Sequence, residues 1–262
     1  MRHALGRRRS AIWSAVFWAV LGVGSFVLGV GSSLGQRAEE SVLAAARFTT
    51  DPPAPLDLMS APTLLIAMAV IGVIALATYG WRRAIGVVGA SAAAIIASQL
   101  LKLRVLERPQ LLDFNIDNTF PSGHMTAFVV VVAAAAWAVP VALRSATAVG
   151  GAVLLSTVAW QLLAYGWHRP SDVLGGIALG VLTFSCAAIV KPLDAGRRSP
   201  LGRLVAAGLL LAALLVIVGA LVLLAVAVAK DQMGLMLTAG QFGSIGVSAF
   251  AARTVLALAE PR

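Results

Sequence analysis

The sequence predicts an all-α membrane protein, a polytopic bundle of about eight transmembrane helices. Three observations lead there. Of 262 residues, 60% are hydrophobic and 12% charged, which excludes a disordered chain and lies far from an ordinary soluble domain. Apolar runs long enough to cross a bilayer, about 20 residues, recur from one end to the other. Backbone polar groups in lipid find no water, so each run must satisfy its own hydrogen bonds as a helix.

The runs fall at 11–34, 61–80, 84–101, 125–142, 145–165, 173–190, 204–229 and 235–256. Arg7, Arg8 and Arg9 precede the first, as in a signal peptide. That run is too long for one, however, and no small-x-small cleavage site follows it. Gln241 and Arg253 interrupt the last run, and its glycines lower its hydrophobicity. Only 35–60 and 102–124 are long connections. In the former, "DPPAP" stops any helix, whereas "AEESVLAAARF" can form a short one. "GSSLG" (31–35) and "GIALG" (176–180) are GxxxG patterns, read here as close packing inside the bundle. No internal repeat or low-complexity tract is evident. The chain divides into a six-span core, 1–190, and a basic loop with a helical hairpin, 191–262.

The net charge of +9 invites a nucleic-acid partner, but its distribution argues against one. With the N-terminus inside, the inner segments hold Arg2, Arg7, Arg8, Arg9, Arg82, Arg83, Arg144, Lys191, Arg197, Arg198, Arg203, Arg253 and Arg262. These are 13 of the 20 basic residues, and of the 11 acidic ones only Asp194 and Glu260 join them. This is the positive-inside bias of a cell-membrane protein with both termini cytoplasmic. Cys186 is the only cysteine, so no intrachain disulfide forms. Arginine outnumbers lysine 17 to 3, which makes a lysine at position 102 conspicuous.

On that topology three polar clusters share the outer face: "LKLRVLERP" (101–109), "PSGH" (121–124) and "GWHRPSDVLGG" (166–176). Two of the three histidines, His124 and His168, lie there, and ionisable groups at bundle-facing helix ends are functional candidates. Pro121 suits the first turn of a helix. The N–H groups of Ser122, Gly123 and His124 would then form an anion cradle reinforced by the helix dipole, and Gly123 would let a ligand approach the backbone. The same residues also read as a plain cap, with Asn118 or Thr119 as N-cap and Pro121 as helix starter. Asp172 lies one helical turn after His168. It is close enough to fix one ring nitrogen and leave the other as nucleophile or base, or it simply caps the helix beside an interfacial histidine. Lys102, Arg104 and Arg108 put three cations within seven residues where outer loops normally avoid them. Cations, an N–H cradle, a histidine poised by an acid and a second histidine are what phosphoryl transfer through a phosphohistidine requires.

The ordered trio resembles the signature of the type 2 phosphatidic acid phosphatase family, over roughly residues 61–190. The family pattern is Lys-x6-Arg-Pro, then Pro-Ser-Gly-His, then Ser-Arg-x5-His-x3-Asp. The resemblance implies a six-helix lipid-phosphatase-like core with two C-terminal helices appended, and an extracytoplasmic site. It implies His168 as nucleophile, Asp172 as its orienting partner and His124 as the acid that protonates the departing alcohol. Lys102, Arg108, Ser122 and Gly123 would hold the phosphate, with no metal and no other cofactor, and Phe120 would serve packing. Two departures stand out. Five residues rather than six separate Lys102 from Arg108, and Gln161 and Leu162 occupy the Ser-Arg positions. Arg104, on the face of Arg108 if 102–108 is helical, or Arg169 would have to replace the missing cation.

The expected function is hydrolysis of a membrane lipid phosphate or pyrophosphate, such as an isoprenyl phosphate, phosphatidate or phosphatidylglycerol phosphate. The lost arginine motivates the alternative, a weakened relative that binds or transports a lipid phosphate or acts as a membrane scaffold. A plain transporter would carry charges at mid-membrane depth, and the spans hold almost none.

Overall fold

A computed structural model describes residues 2–112, 117–190 and 200–260. The sequence assigns Asp113 and the basic stretch 191–198 to opposite faces of the membrane; both lie outside the described residues. Nine α-helices, and no strand, occur among the described residues. α1 (Arg2–Ser25) runs into a π-helical turn, Phe26–Val30, and α2 (Ser33–Ala44) is the short helix foreseen in the first long connection. α3 (Ala61–Tyr79), α4 (Trp81–Leu100, extended by a π-helical turn over Leu101–Val105), α5 (Gly123–Ala138) and α6 (Val141–Ala164) follow. α7 (Pro170–Val190), α8 (Pro200–Lys230) and α9 (Met233–Ala259) complete the order.

The breaks have local causes. Ser60 and Thr63 form a capping box at the start of α3. Gly80 takes φ 83° between α3 and α4, a left-handed backbone that glycine adopts without strain. Pro140 cannot donate to α5, and it holds Val139 in an extended conformation.

Seven helices are long and apolar enough to cross a membrane: α1 and α4 with their π turns, α3, and α6 to α9. The fourth expected span, 125–142, is shorter in the structure, the 16-residue α5. At 1.5 Å per residue it is about 24 Å long, short of the roughly 30 Å hydrocarbon layer. Protein surrounds α5 instead of lipid. Almost every residue from Met125 to Ala138 is buried, with α3, α4, α6 and α7 all packed against it.

Hydrogen bonds gather the helix ends into two groups. At one end, Tyr79 Oη donates to the Val139 carbonyl at 3.1 Å, and Arg144 donates to Tyr79 Oη at 3.0 Å and to the Ala259 carbonyl at 2.6 Å. At the other, the Ser122 N–H donates to the Asp172 carbonyl at 2.9 Å and the Arg47 N–H to that of Ala164 at 2.8 Å. The second group, the motif end, brings together the three clusters found in the sequence. α8 meets α9 along Ala206, Ala213, Ala220 and Ala227, one alanine per heptad, and turns most of its leucines outward. α9 also packs on α6 and α7 and adds Ala251, Val255, Leu258 and Ala259 to the main core.

Close approach of α5 and α7 fixes the motif end, and it requires glycines. A Cβ on Gly176 would stand 2.7 Å from the Ser122 carbonyl oxygen, and one on Gly180 2.5 Å from Val129 Cγ1. The "GIALG" pattern is thus packing within the bundle. Gly176→Ala should therefore destabilise by about 1–3 kcal/mol, whereas Gly208→Ala, in open space on α8, should be neutral or mildly stabilising. Thermal unfolding of the two purified variants in detergent checks this. Equal midpoints would refute the close-packing account.

Candidate active site

The loop entering α5 does not form the cap expected of it. Ser122, rather than Asn118 or Thr119, is the N-cap: its Oγ accepts the Met125 N–H at 3.2 Å, and the helix starts at Gly123, not at Pro121. The Ser122 N–H is already used on Asp172, so the cradle narrows to the N–H groups of Gly123 and His124, which have no intrahelical acceptor. Ser122 is fully buried, and its hydroxyl proton remains available as a donor. Phe120 packs as expected, beside Phe26 and against Gly175.

Asn118 staples two motifs together. Its Nδ2 donates to the carbonyls of Leu106 at 2.7 Å and Lys102 at 3.3 Å, and its Oδ1 accepts the Phe120 N–H at 3.1 Å. With those carbonyls taken, the chain leaves helical geometry after the π turn, and Leu106 is extended. This removes the shared helical face invoked for Arg104 and Arg108: Arg104 is exposed and Arg108 is buried. Lys102 is half-buried, and its charge acts on both Asp172 and His124.

The end of α6 presents His168. Gly166 at φ 65° closes the helix, its N–H donating to the Leu163 carbonyl and that of Trp167 to Leu162. This Schellman pattern turns the chain so that the His168 N–H also reaches the Leu162 carbonyl at 3.2 Å. Three donors then converge on Asp172 Oδ2: Thr119 Oγ1 at 2.6 Å, the Arg169 N–H at 3.0 Å and His168 Nδ1 at 3.4 Å. Asp172 is completely buried. A proton on Nδ1 directed at this carboxylate leaves Nε2 of His168 with its lone pair. The rings of His124 and His168 lie 6.2 Å apart, centroid to centroid, and His124 is 5.5 Å from the Trp167 ring. Both histidines line an open cleft of about 380 Å³ with Phe48, Thr50, Gly166 and Trp167.

Leu162, in the position the resemblance gives to arginine, is wholly buried in the apolar core. Gln161 beside it donates to the carbonyls of Pro53 at 3.0 Å and Ala54 at 3.1 Å. Trp167 Nε1 donates to that of Thr49 at 2.7 Å, so the segment carrying Phe48 and Thr50 is fastened over the cleft. Arg169 does not face solvent: it is buried, its Nη1 donates to Thr119 Oγ1 at 3.3 Å, and its Nη2 lies 4.0 Å from Glu40.

Glu39, on α2, is a site residue that the sequence reading missed. Its Oε2 is 3.3 Å from Arg108 Nη2, and its Oε1 accepts the Ser171 N–H at 3.0 Å. Burial pushes its carboxyl above the ordinary carboxylate range and Asp172 adds to that, while hydrogen bonds from Ser171 and the charge of Arg108 oppose it. A signal was present: Gln36, Glu39 and Val42, spaced by three, form the buried stripe of α2. Arg108 Nη2 also lies 3.9 Å from Asp172 Oδ1, while its Nε and Nη1 are buried with no acceptor. Among the described residues, no group of three or more His, Cys, Asp or Glu side chains comes together as a metal site. Buried guanidinium donors and the unbonded N–H groups of a helix N-terminus are each suited to an oxyanion.

Comparison with curated proteins and with solved structures returned no match. Residues 83–195 match the model of the PAP2 superfamily. That stretch holds Lys102, Arg108, Ser122, Gly123, His124, His168 and Asp172, whereas α2 with Glu39 and the α8–α9 pair lie outside it. The matched stretch lies in a bundle of helices long and apolar enough to cross a membrane.

Proposed function

We propose that the protein hydrolyses a lipid phosphate or pyrophosphate at the extracytoplasmic face of the cell membrane. The observation that carries this reading is the pair of histidines across one cleft, one of them held by a buried aspartate. His168 Nε2 attacks phosphorus, the bond from phosphorus to the lipid oxygen breaks, and His124 gives that oxygen its proton. Water then attacks the phosphohistidine, His124 takes the water's proton, the P–N bond breaks, and phosphate leaves. Lys102, Arg108 and the N–H groups of Gly123 and His124 stabilise charge on the equatorial oxygens, with the Ser122 hydroxyl as a further donor. Arg169 supplies the cation that Leu162 does not. It is buried beside Thr119, which itself bonds Asp172, whereas Arg104 is exposed.

One observation favours a second reading, a weakened relative that binds or transports a lipid phosphate or serves as a scaffold. Leu162 is sealed in the core, so α6 sends no cation to the site. A wild-type protein that binds orthovanadate but releases no phosphate from phosphatidate or farnesyl diphosphate would support that reading over hydrolysis.

Three outcomes test the proposal. His168→Ala should abolish phosphate release, and His124→Ala should slow it by about 10²–10⁴-fold, most for poor leaving groups. Full turnover by His168→Ala in a phosphate-release assay would overturn the mechanism. Arg169→Ala should reduce kcat by about 10²-fold, the scale of one transition-state donor, with Arg104→Ala close to wild type. The reverse order would return the role to Arg104. For orientation, single cysteines replacing the exposed Asp51 and Arg82 in a Cys186→Ala background should differ towards an impermeant thiol reagent on intact cells. The charge bias predicts labelling at 51 and protection at 82. The opposite pattern would invert the topology.

A further inference from the structure

The reaction above makes no use of α2, yet Glu39, the middle residue of that helix's buried stripe, reaches Arg108. Gln36 Nε2 donates to the carbonyls of Val30 at 2.8 Å and Pro109 at 2.7 Å, tying α2 to the residue after Arg108. Glu39 is held next to it. Its Oε1 accepts the Ser171 N–H at the start of α7, and a Cβ on Gly29 would stand 2.9 Å from that same oxygen. The remaining oxygen meets Arg108 through Nη2 alone.

That single contact matters because Arg108 is 6% exposed. A buried guanidinium without a counter-ion is costly, so some anion must accompany it. A carboxylate paired with two of its nitrogens would occupy the fork that arginine offers to phosphate. Glu39 instead supplies the nearer negative charge through one nitrogen, the same one that Asp172 Oδ1 approaches at 3.9 Å, and Nε and Nη1 remain buried with no acceptor. Unpaired buried donors of this kind cost stability until a ligand satisfies them.

We propose that Glu39 is a positioning residue for phosphate binding: its carboxylate neutralises Arg108 and holds it by Nη2, so that Nε and Nη1 stay free for the phosphate. The proposal rests on the reading of Arg108 as a phosphate ligand. It gives α2, which lies outside the PAP2-matched residues, a part in the site.

The test uses the purified full-length protein, with orthovanadate as a phosphate probe and farnesyl diphosphate and phosphatidate as substrates. Glu39→Gln keeps the shape and can still accept the Ser171 N–H, but it loses the charge. Vanadate should bind it about tenfold more weakly, the scale of one charge-assisted hydrogen bond, and KM should rise more than kcat falls. Glu39→Asp, charged but shorter, should fall between wild type and Glu39→Gln, and it decides the matter if Glu39→Gln does not fold. In an Arg108→Ala background either substitution should leave vanadate affinity unchanged, because the effect passes through Arg108. A merely structural role for Glu39 would instead add in full to the loss from Arg108→Ala. That result, or wild-type vanadate affinity in the Glu39 variants, overturns the proposal while leaving the hydrolase reading intact. A wild type that neither releases phosphate nor binds vanadate removes Arg108 as a phosphate ligand and the role of Glu39 with it.

Discussion

The motif end depends on the carboxylate of Asp172. Taking a carboxylate wholly out of water costs several kcal/mol unless hydrogen bonds and opposite charge offset it. Here the offsets come from separate parts of the chain. Thr119 reaches it from the loop before α5, His168 and the Arg169 N–H from the α6–α7 turn, and Arg108 from the chain after α4. The Asp172 carbonyl also receives the Ser122 N–H, which sets where α5 begins. One buried anion thus brings three sequence-distant motifs into register. Its need for partners, rather than any intrinsic loop preference, gives the motif end its geometry.

The glycines of α7 make that convergence possible. Oppositely polarised groups on α5 and α7 meet only if the helices approach almost to backbone contact, and Gly175, Gly176 and Gly180 remove the side chains that would prevent it. α5 accepts this crowding because it is enclosed by protein. A helix facing lipid would have to span the full hydrocarbon layer, whereas one surrounded by α3, α4, α6 and α7 is free to be short.

Most of the fold was legible in the sequence because long apolar runs have one solution in lipid, and all the runs but the first, whose helix begins already at Arg2, map onto helices within a few residues. The juxtaposition of Lys102, His124, His168 and Asp172 was legible because each lies at a helix boundary on one side of the bundle. Three features were not legible. The N-cap at Ser122 depends on where the Ser122 N–H finds its acceptor, a contact 50 residues away in sequence. The extended backbone after Val105 depends on Asn118, whose amide takes two carbonyls from that segment. Glu39 was missed because a glutamate on a short helix at the membrane boundary normally faces water. Its burial follows from Gln36 and Val42 flanking it at helical spacing, and from Gly29 leaving room for its oxygen.

The balance of charge at the site also bears on how an anion would be received. Lys102, Arg108 and Arg169 face two buried carboxylates, Asp172 and Glu39, with the more exposed Glu40 at the edge. A cluster of cations alone would be unstable in so dry a place, because each would lack a counter-charge. Carboxylates that fully saturated the cations would leave an oxyanion nothing to bind. The arrangement lies between these limits: Asp172 Oδ2 is taken up by donors from the loops, and each carboxylate approaches Arg108 through Nη2 only. The donors left over, Nε and Nη1 of Arg108 and the first N–H groups of α5, belong to groups anchored elsewhere. On the proposed reading, an arriving phosphate meets donors already fixed in position. It need not displace an internal anion, and the reorganisation that limits electrostatic catalysis in water is largely avoided.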